Sequence, residues 1–169
     1  MKVESINSSN MVKKCVFIEF NYSKPKFKNL IKSTIDKEYL SRYIKKLCGK
    51  KRVYMSYNFI SSEEQIKMNR TFKDHNYNTD ILTFGLTNTE CELTGDVYIS
   101  LREVKKNARR YNVEISEEIN RVLIHGFLHI IGYNDEINSE KKIMRKEENK
   151  YIKFIQKNCS TWNKSVYHY

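Results

Sequence analysis

Two imidazoles four residues apart, His125 and His129, are followed by Gly132 and then Asp135 in the stretch His125-Gly126-Phe127-Leu128-His129-Ile130-Ile131-Gly132-Tyr133-Asn134-Asp135. Four residues is close to one helical turn, so both rings would project from one face of a helix. Gly132 is where such a helix would end, because glycine takes the left-handed C-cap conformation without steric cost. The chain can then fold back and carry Asp135 towards the imidazoles. Two nitrogens and one oxygen make a three-ligand zinc site whose fourth position stays open for water.

A lone histidine on a helix is more often a satisfied core or surface side chain than a ligand. The pair, the glycine turn and the carboxylate together move that balance towards a metal. Their spacing, H-x-x-x-H-x-x-G-x-x-D, is the skeleton of the extended metzincin motif with two changes. Asp135 stands where the third histidine would be, and Gly126 stands where metalloproteases carry glutamate. That glutamate is the general base acting on zinc-bound water. Without it, ordinary zinc-protease chemistry loses its base. An aspartate ligand also lowers the net charge of the centre by one, which makes bound water less acidic and harder metals more tolerable. If Asp135 merely capped the turn, two protein ligands would bind weakly, and Glu136 would be a better substitute donor than Asn134.

These residues need a scaffold. Cys15 to Phe20 and Arg52 to Ile60 are rich in β-branched and aromatic residues and read as strands. Between them, Thr34 to Leu47 places Ile35, Tyr39, Tyr43 and Leu47 at helical spacing. Ser61 to Gln65 looks like an N-cap with acids in the first turn, opening a short helix to about Thr71. Asp80 to Leu86 and Gly95 to Ser100 read as two more strands. Helices are predicted over Leu101 to Tyr111, from Ser116 through the histidines, and from Ser139 through Phe154. This order implies an α/β (α+β) fold in which a single mixed sheet of about four strands packs with about five helices. Asp80, at a strand start, is a candidate acceptor for a ligand imidazole, or simply a cap. Met144 reads as core, Tyr133 as packing the turn, and His75 and His168 as surface residues.

No linker, repeat or low-complexity tract appears in the 169 residues, so one domain over 1–169 is expected, with its core at about 13–156 and loose ends at 1–12 and 158–169. No apolar run approaches the roughly 18 residues of a membrane span, and Met1 to Val12 lacks an apolar signal core. A cytoplasmic location is therefore expected, with Cys15, Cys48, Cys91 and Cys159 as buried reduced thiols. The net charge of +11 is uneven: residues 13 to 52 hold 13 lysines and arginines against three acids. Lysine-rich composition can reflect codon bias, which explains the clustering less well than the amount. A concentrated basic segment favours polyanions, although charge alone does not establish nucleic-acid binding.

At His125 to Asp135 the sequence resembles the YbeY family of bacterial endoribonucleases, whose signature is approximately H-G-x-L-H-L-x-G-Y-D-H. Nine of the eleven positions match or differ conservatively, the departures being Asn134 and Asp135. Met68 to Asp74 and Asn78 to Phe84 look like the family's L-N-x-x-Y-R-x-x-D-x-P-T-D-V-L-S-F. Gly95-Asp96-Val97-Tyr98-Ile99-Ser100 looks like its G-D-I-x-I-S strand. The resemblance covers roughly Cys15 to Phe154 and implies a cytoplasmic, zinc-dependent endonuclease for single-stranded RNA. It further implies a role in 16S rRNA 3′-end maturation and ribosome quality control, with the ribosome or small-subunit proteins as partners. Neither DNA nor a membrane is expected. One Zn2+ would be held by His125, His129 and Asp135. His125 and Lys73 are the residues assigned to catalysis. Lys73 aligns with a family arginine and keeps its charge without the planar fork that grips a phosphate twice.

Two rival readings remain at this level. One is a zinc hydrolase of another class, peptidase-like, which would need a carboxylate beside the attacking water. The other is a non-catalytic RNA-binding assembly factor with a structural metal.

Overall fold

A computed structural model describes residues 15–72 and 79–158. Lys73 and His75 lie outside the described residues, as do His168 and Cys159. The elements in chain order are β1 (Val16–Tyr22), α1 (Pro25–Thr34), α2 (Lys37–Cys48), β2 (Arg52–Ile60), α3 (Ser62–Phe72), β3 (Ile81–Asn88), β4 (Glu92–Ser100), α4 (Leu101–Tyr111), α5 (Ile115–Ile130) and α6 (Asn138–Asn158). The strands form one sheet in the order β1-β2-β4-β3. The pairs β1–β2 and β2–β4 are parallel, and β3 runs antiparallel beside β4. The expected α/β class and four-stranded mixed sheet are what the chain forms.

The described residues hold six helices instead of about five, because the stretch between β1 and β2 folds as two. Pro25 opens α1 at its first helical turn, where a missing N–H costs nothing. Asp36 then stops a continuous helix. Its side chain accepts the backbone N–H groups of Glu38 and Tyr39 at 2.9 and 3.3 Å, capping α2. The buried stripe of α2 accordingly runs through Leu40, Tyr43 and Ile44, while Leu47 stays at the surface. Ahead of α3, the Ser61 hydroxyl accepts from the Glu64 N–H while the Glu64 carboxylate accepts from the Ser61 N–H at 2.7 Å, a capping box.

One face of the sheet carries the core. Val53, Met55, Tyr57 and Phe59 alternate inward along β2 and meet Leu123, Ile124 and Phe127 of α5 and Tyr151, Ile152 and Ile155 of α6. Each fully buried side chain of this kind contributes roughly 1.5–3 kcal/mol. The helix α5 lies unusually close to the sheet. A Cβ on Gly126 would come within 2.6 Å of Ile81 Cδ1 and 2.7 Å of Val97 Cγ1. Gly95 on β4 makes room in turn for Ile130.

Among the described residues no helix is long and apolar enough to cross a membrane. Cys15 and Cys48 are half-buried, short of the full burial expected, and Cys48 and Cys91 are free thiols. Cys91 is exposed, contrary to expectation, because it sits in the tight turn joining β3 to β4.

Candidate metal centre

The last turns of α5 carry both histidines, and the way that helix ends sets their surroundings. Gly132 has φ of 101°, a conformation open to glycine. The Tyr133 N–H reaches back to the Leu128 carbonyl and the Gly132 N–H to the His129 carbonyl, both at 3.0 Å, the Schellman arrangement. The Gly132 turn expected from sequence is therefore present. It also does more than stop the helix, because the Tyr133 carbonyl then lies 2.9 Å from His129 Nδ1. A carbonyl oxygen only accepts, so His129 carries its proton on Nδ1 and points Nε2 forward.

His125 is oriented the same way by a different partner. Its Nδ1 lies 2.9 Å from Glu148 Oε1 on α6. The two Nε2 atoms consequently face one another at 3.0 Å. Asp135 closes the group, with one carboxylate oxygen 3.7 Å from each Nε2. His125, His129 and Asp135 are together the metal-competent cluster among the described residues.

The cluster suits a cation on its own geometry. With both Nδ1 atoms engaged as donors, two neutral imidazoles would aim lone pairs at each other beside a carboxylate. Such an arrangement calls for a proton or a metal ion between them. Ligand atoms on a tetrahedral zinc at 2.0–2.2 Å lie about 3.3 Å apart, which is the range seen here. Two nitrogens with one carboxylate is also the ligand set of several zinc hydrolases. The side chains of His125, His129 and Asp135 are 17%, 22% and 40% exposed, so the group is reachable from solvent.

Behind His125 lies a network that sequence reasoning missed. Glu148 Oε2 accepts from Arg145 at 3.1 Å and Arg121 at 3.3 Å. Arg121 also reaches Glu117 at 3.0 Å and the Asn149 side chain at 2.8 Å. Arg145 lies over the Tyr111 ring at the end of α4. Burial opposes the charge of Glu148, but the hydrogen bond and charge of His125, with Arg145, hold its carboxyl below the usual range. Burial would likewise pull His125 down, yet the hydrogen bond and charge of Glu148, helped by Asp80 and Asp135, hold it above the usual imidazole value. The signal for Glu148 was present in the sequence. Met144, Glu148, Tyr151, Ile152 and Ile155 share the buried stripe of α6, and an acid on such a stripe needs a partner.

The other sequence candidates separate. Asp80 does not bond an imidazole: its carboxylate accepts from Asn107 at 3.0 Å, and its carbonyl from the Ser100 N–H. Glu136 stands outside the cluster, and its N–H bonds Glu140. Met144 is core. Gly126 acquires a second explanation, since a side chain there would point into β3 and β4 and away from the imidazoles. Lys73 lies outside the described residues.

Fold and site together define a mixed α/β protein in which two histidines on a helix and an aspartate from the turn after it form a group fit to hold a metal ion. The chain belongs to the YbeY family: the family profile described as "Endoribonuclease YbeY" matches residues 17–156. A Parabacteroides distasonis protein named endoribonuclease YbeY is 38% identical over 128 residues, which cover 74% of this chain and 89% of that protein. A Cytophaga hutchinsonii protein of the same name is 43% identical over 94 residues, covering 56% of this chain and 66% of that one. The solution structure of TM1509 from Thermotoga maritima superposes with a TM-score of 0.58 at 26% identity, covering 90% of this chain and all of that one.

Proposed function

We propose that this chain is a zinc-dependent endoribonuclease that cleaves single-stranded RNA, acting in the cytoplasm on 16S rRNA 3′ ends and in ribosome quality control. The observation that carries the reading is the pair of Nε2 atoms facing each other at 3.0 Å beside Asp135, in a chain whose relatives are named endoribonucleases. His125, His129 and Asp135 would hold the ion. When bound, zinc supplies Lewis-acid stabilisation of a phosphate oxygen and makes water acidic enough to attack near neutral pH.

The protein's own residues do the rest. Glu148 and the Tyr133 carbonyl fix the two tautomers before substrate arrives, so no reorganisation is needed during reaction. Asp135 adds negative charge, which favours a cation over a shared proton. Lys73 is assigned a phosphate contact from the family resemblance. Either water or the RNA 2′-hydroxyl can serve as nucleophile in this scheme. Small-subunit ribosomal proteins are the partners this reading implies.

A peptidase is less well supported. It would need a carboxylate beside the attacking water, and position 126 faces the sheet while Glu148 and Asp80 are occupied by His125, arginines and Asn107. The test is cleavage of a single-stranded oligoribonucleotide by purified protein with and without chelator, alongside His129→Ala and Asp135→Ala. Chelator and His129→Ala should each abolish cleavage. Cleavage surviving both would reject the metalloenzyme reading, whereas full activity and zinc content in Asp135→Ala would remove only the aspartate from the ligand set.

A further inference from the structure

The three parallel strands β1, β2 and β4 all end on one side of the sheet, at Tyr22, Ile60 and Ser100. In open α/β sheets the crevice beyond the carboxyl ends of the strands is where ligands bind. Here that crevice is a groove of about 750 Å³, walled by the start of α1, the end of β2 with the start of α3, and one face of α4. Its lining is strongly cationic. Lys24 and Lys26 come from α1 and its cap, and Arg102, Lys105, Lys106 and Arg109 from α4, against the single acid Glu63. The four α4 cations recur at i, i+3, i+4 and i+7, so they form a continuous stripe about 10 Å long. Lys106 also pairs with Glu103 at 3.2 Å, and Lys24 and Arg102 help hold the Glu63 carboxyl below its usual range. Phe27 and Leu30 form an apolar side of the same groove, with the Lys26 ammonium 6.0 Å from the Phe27 ring.

This site is separate from the metal centre yet shares a wall with it. Asn107, one residue beyond Lys106, donates to Asp80, and Tyr111 at the end of α4 lies beneath Arg145, which bonds the Glu148 carboxylate beside His125. A linear polyanion lying on Arg102 to Arg109 therefore needs only to cross the α4 ridge to approach the imidazoles.

We propose that this groove is a docking track for the phosphodiester backbone of single-stranded RNA, feeding the metal centre from across α4. The inference rests on the endoribonuclease reading for its substrate. A cationic stripe beside an aromatic ring is the combination that holds single strands, through phosphate contacts and base stacking. It also relocates the basic surface expected from sequence. Among the described residues of the 13–52 segment, Lys24 and Lys26 line the groove, and α4 supplies the majority of its cations.

The test is binding of full-length protein to a fluorescent single-stranded oligoribonucleotide with a cleavage-resistant backbone, titrated at several salt concentrations. A Lys105→Glu/Arg109→Glu variant should bind roughly tenfold or more weakly and lose about one to two units of salt slope. A Lys45→Glu/Lys46→Glu control on α2, with the same change in net charge, should stay within about twofold. A milder Lys105→Gln/Arg109→Gln pair, checked by circular dichroism, carries the test if charge reversal disturbs folding. Equal losses in groove and control variants would overturn the proposal, as would unchanged RNA binding. So would groove-dependent binding to phosphatidylserine vesicles with RNA binding intact. Because binding is read without turnover, groove-dependent affinity in a protein that cleaves nothing would reject the nuclease reading and keep the track.

Discussion

Glu148 Oε1 lies 2.9 Å from His125 Nδ1, although 23 residues and a helix-to-helix turn separate them. That contact makes α6 part of the centre. It fixes which nitrogen of His125 faces Asp135, and it connects the imidazole to Arg121 and Arg145.

Glu148→Gln should keep the fold and weaken the centre. The amide can still accept from Nδ1, but the negative charge that raises the basicity of the ring is gone. Loss of such an outer partner typically costs 10–100-fold in metal affinity. Competition against a chromophoric zinc chelator measures this directly. Wild-type affinity in the variant would mean that Glu148 serves packing alone.

Gly126→Ala should destabilise the protein despite alanine being the better helix former. The helix gain is about 1 kcal/mol. Against it stands a new methyl at 2.6–2.7 Å from Ile81 and Val97, inside a contact between α5 and the sheet. Overpacking of that kind costs about 1–3 kcal/mol, so the net effect should be a lower urea midpoint at unchanged m-value. A higher midpoint would show that α5 can lift from the sheet at little cost.

How much of this was legible beforehand follows from the range of each interaction. The strands, the capping box at Ser61 and the Gly132 turn are local, and periodicity or cap chemistry carries them. The helix α1 is absent from the sequence reading, which starts a helix only at Thr34, because Pro25 to Thr34 buries Ile31 alone and shows little apolar stripe. Asp36 declares itself as the cap of α2 only when its carboxylate is seen on two backbone N–H groups. His125, His129 and Asp135 lie within eleven residues, so spacing alone brought them together. Glu148 and Asn107 act across α5–α6 and α4–β3, and spacing along the chain cannot report those distances. Gly126 was legible only in part. In the sequence its lack of a side chain reads as a missing base, whereas in the fold a side chain there would press on Ile81 and Val97 where α5 packs on β3 and β4.

Glu118→Gln should stabilise the protein at pH 7. Burial raises the Glu118 carboxyl above its usual value, Asp80 and Glu148 add to this, and Arg121 and Arg145 only partly offset it. The folded state therefore holds this proton more tightly than the unfolded chain. Stability falls as pH rises from the ordinary carboxylate value through the raised one. Removing the ionisation should raise the melting temperature at pH 7 by roughly 2–4 °C per 1 kcal/mol recovered, and the gain should vanish at acidic pH. A gain that is independent of pH would point to packing instead of charge.

Metal binding and metal-free stability should respond to pH in opposite senses. His125 is held above the usual imidazole value, against the pull of burial, chiefly by Glu148. In the metal-free protein this raised value contributes stability that is fully present below the ordinary imidazole value and is lost as pH rises through the raised one. A metal must displace that same proton, so apparent affinity should fall about tenfold per pH unit below the raised value. The melting-temperature difference between zinc-loaded and stripped protein should accordingly widen as pH rises. Glu148→Gln lets His125 relax downward, so its affinity should be weaker at high pH but should persist further into acid. Differential scanning fluorimetry of both forms across the imidazole range measures the two curves. Parallel curves for wild type and Glu148→Gln would rule out control of the His125 proton by Glu148.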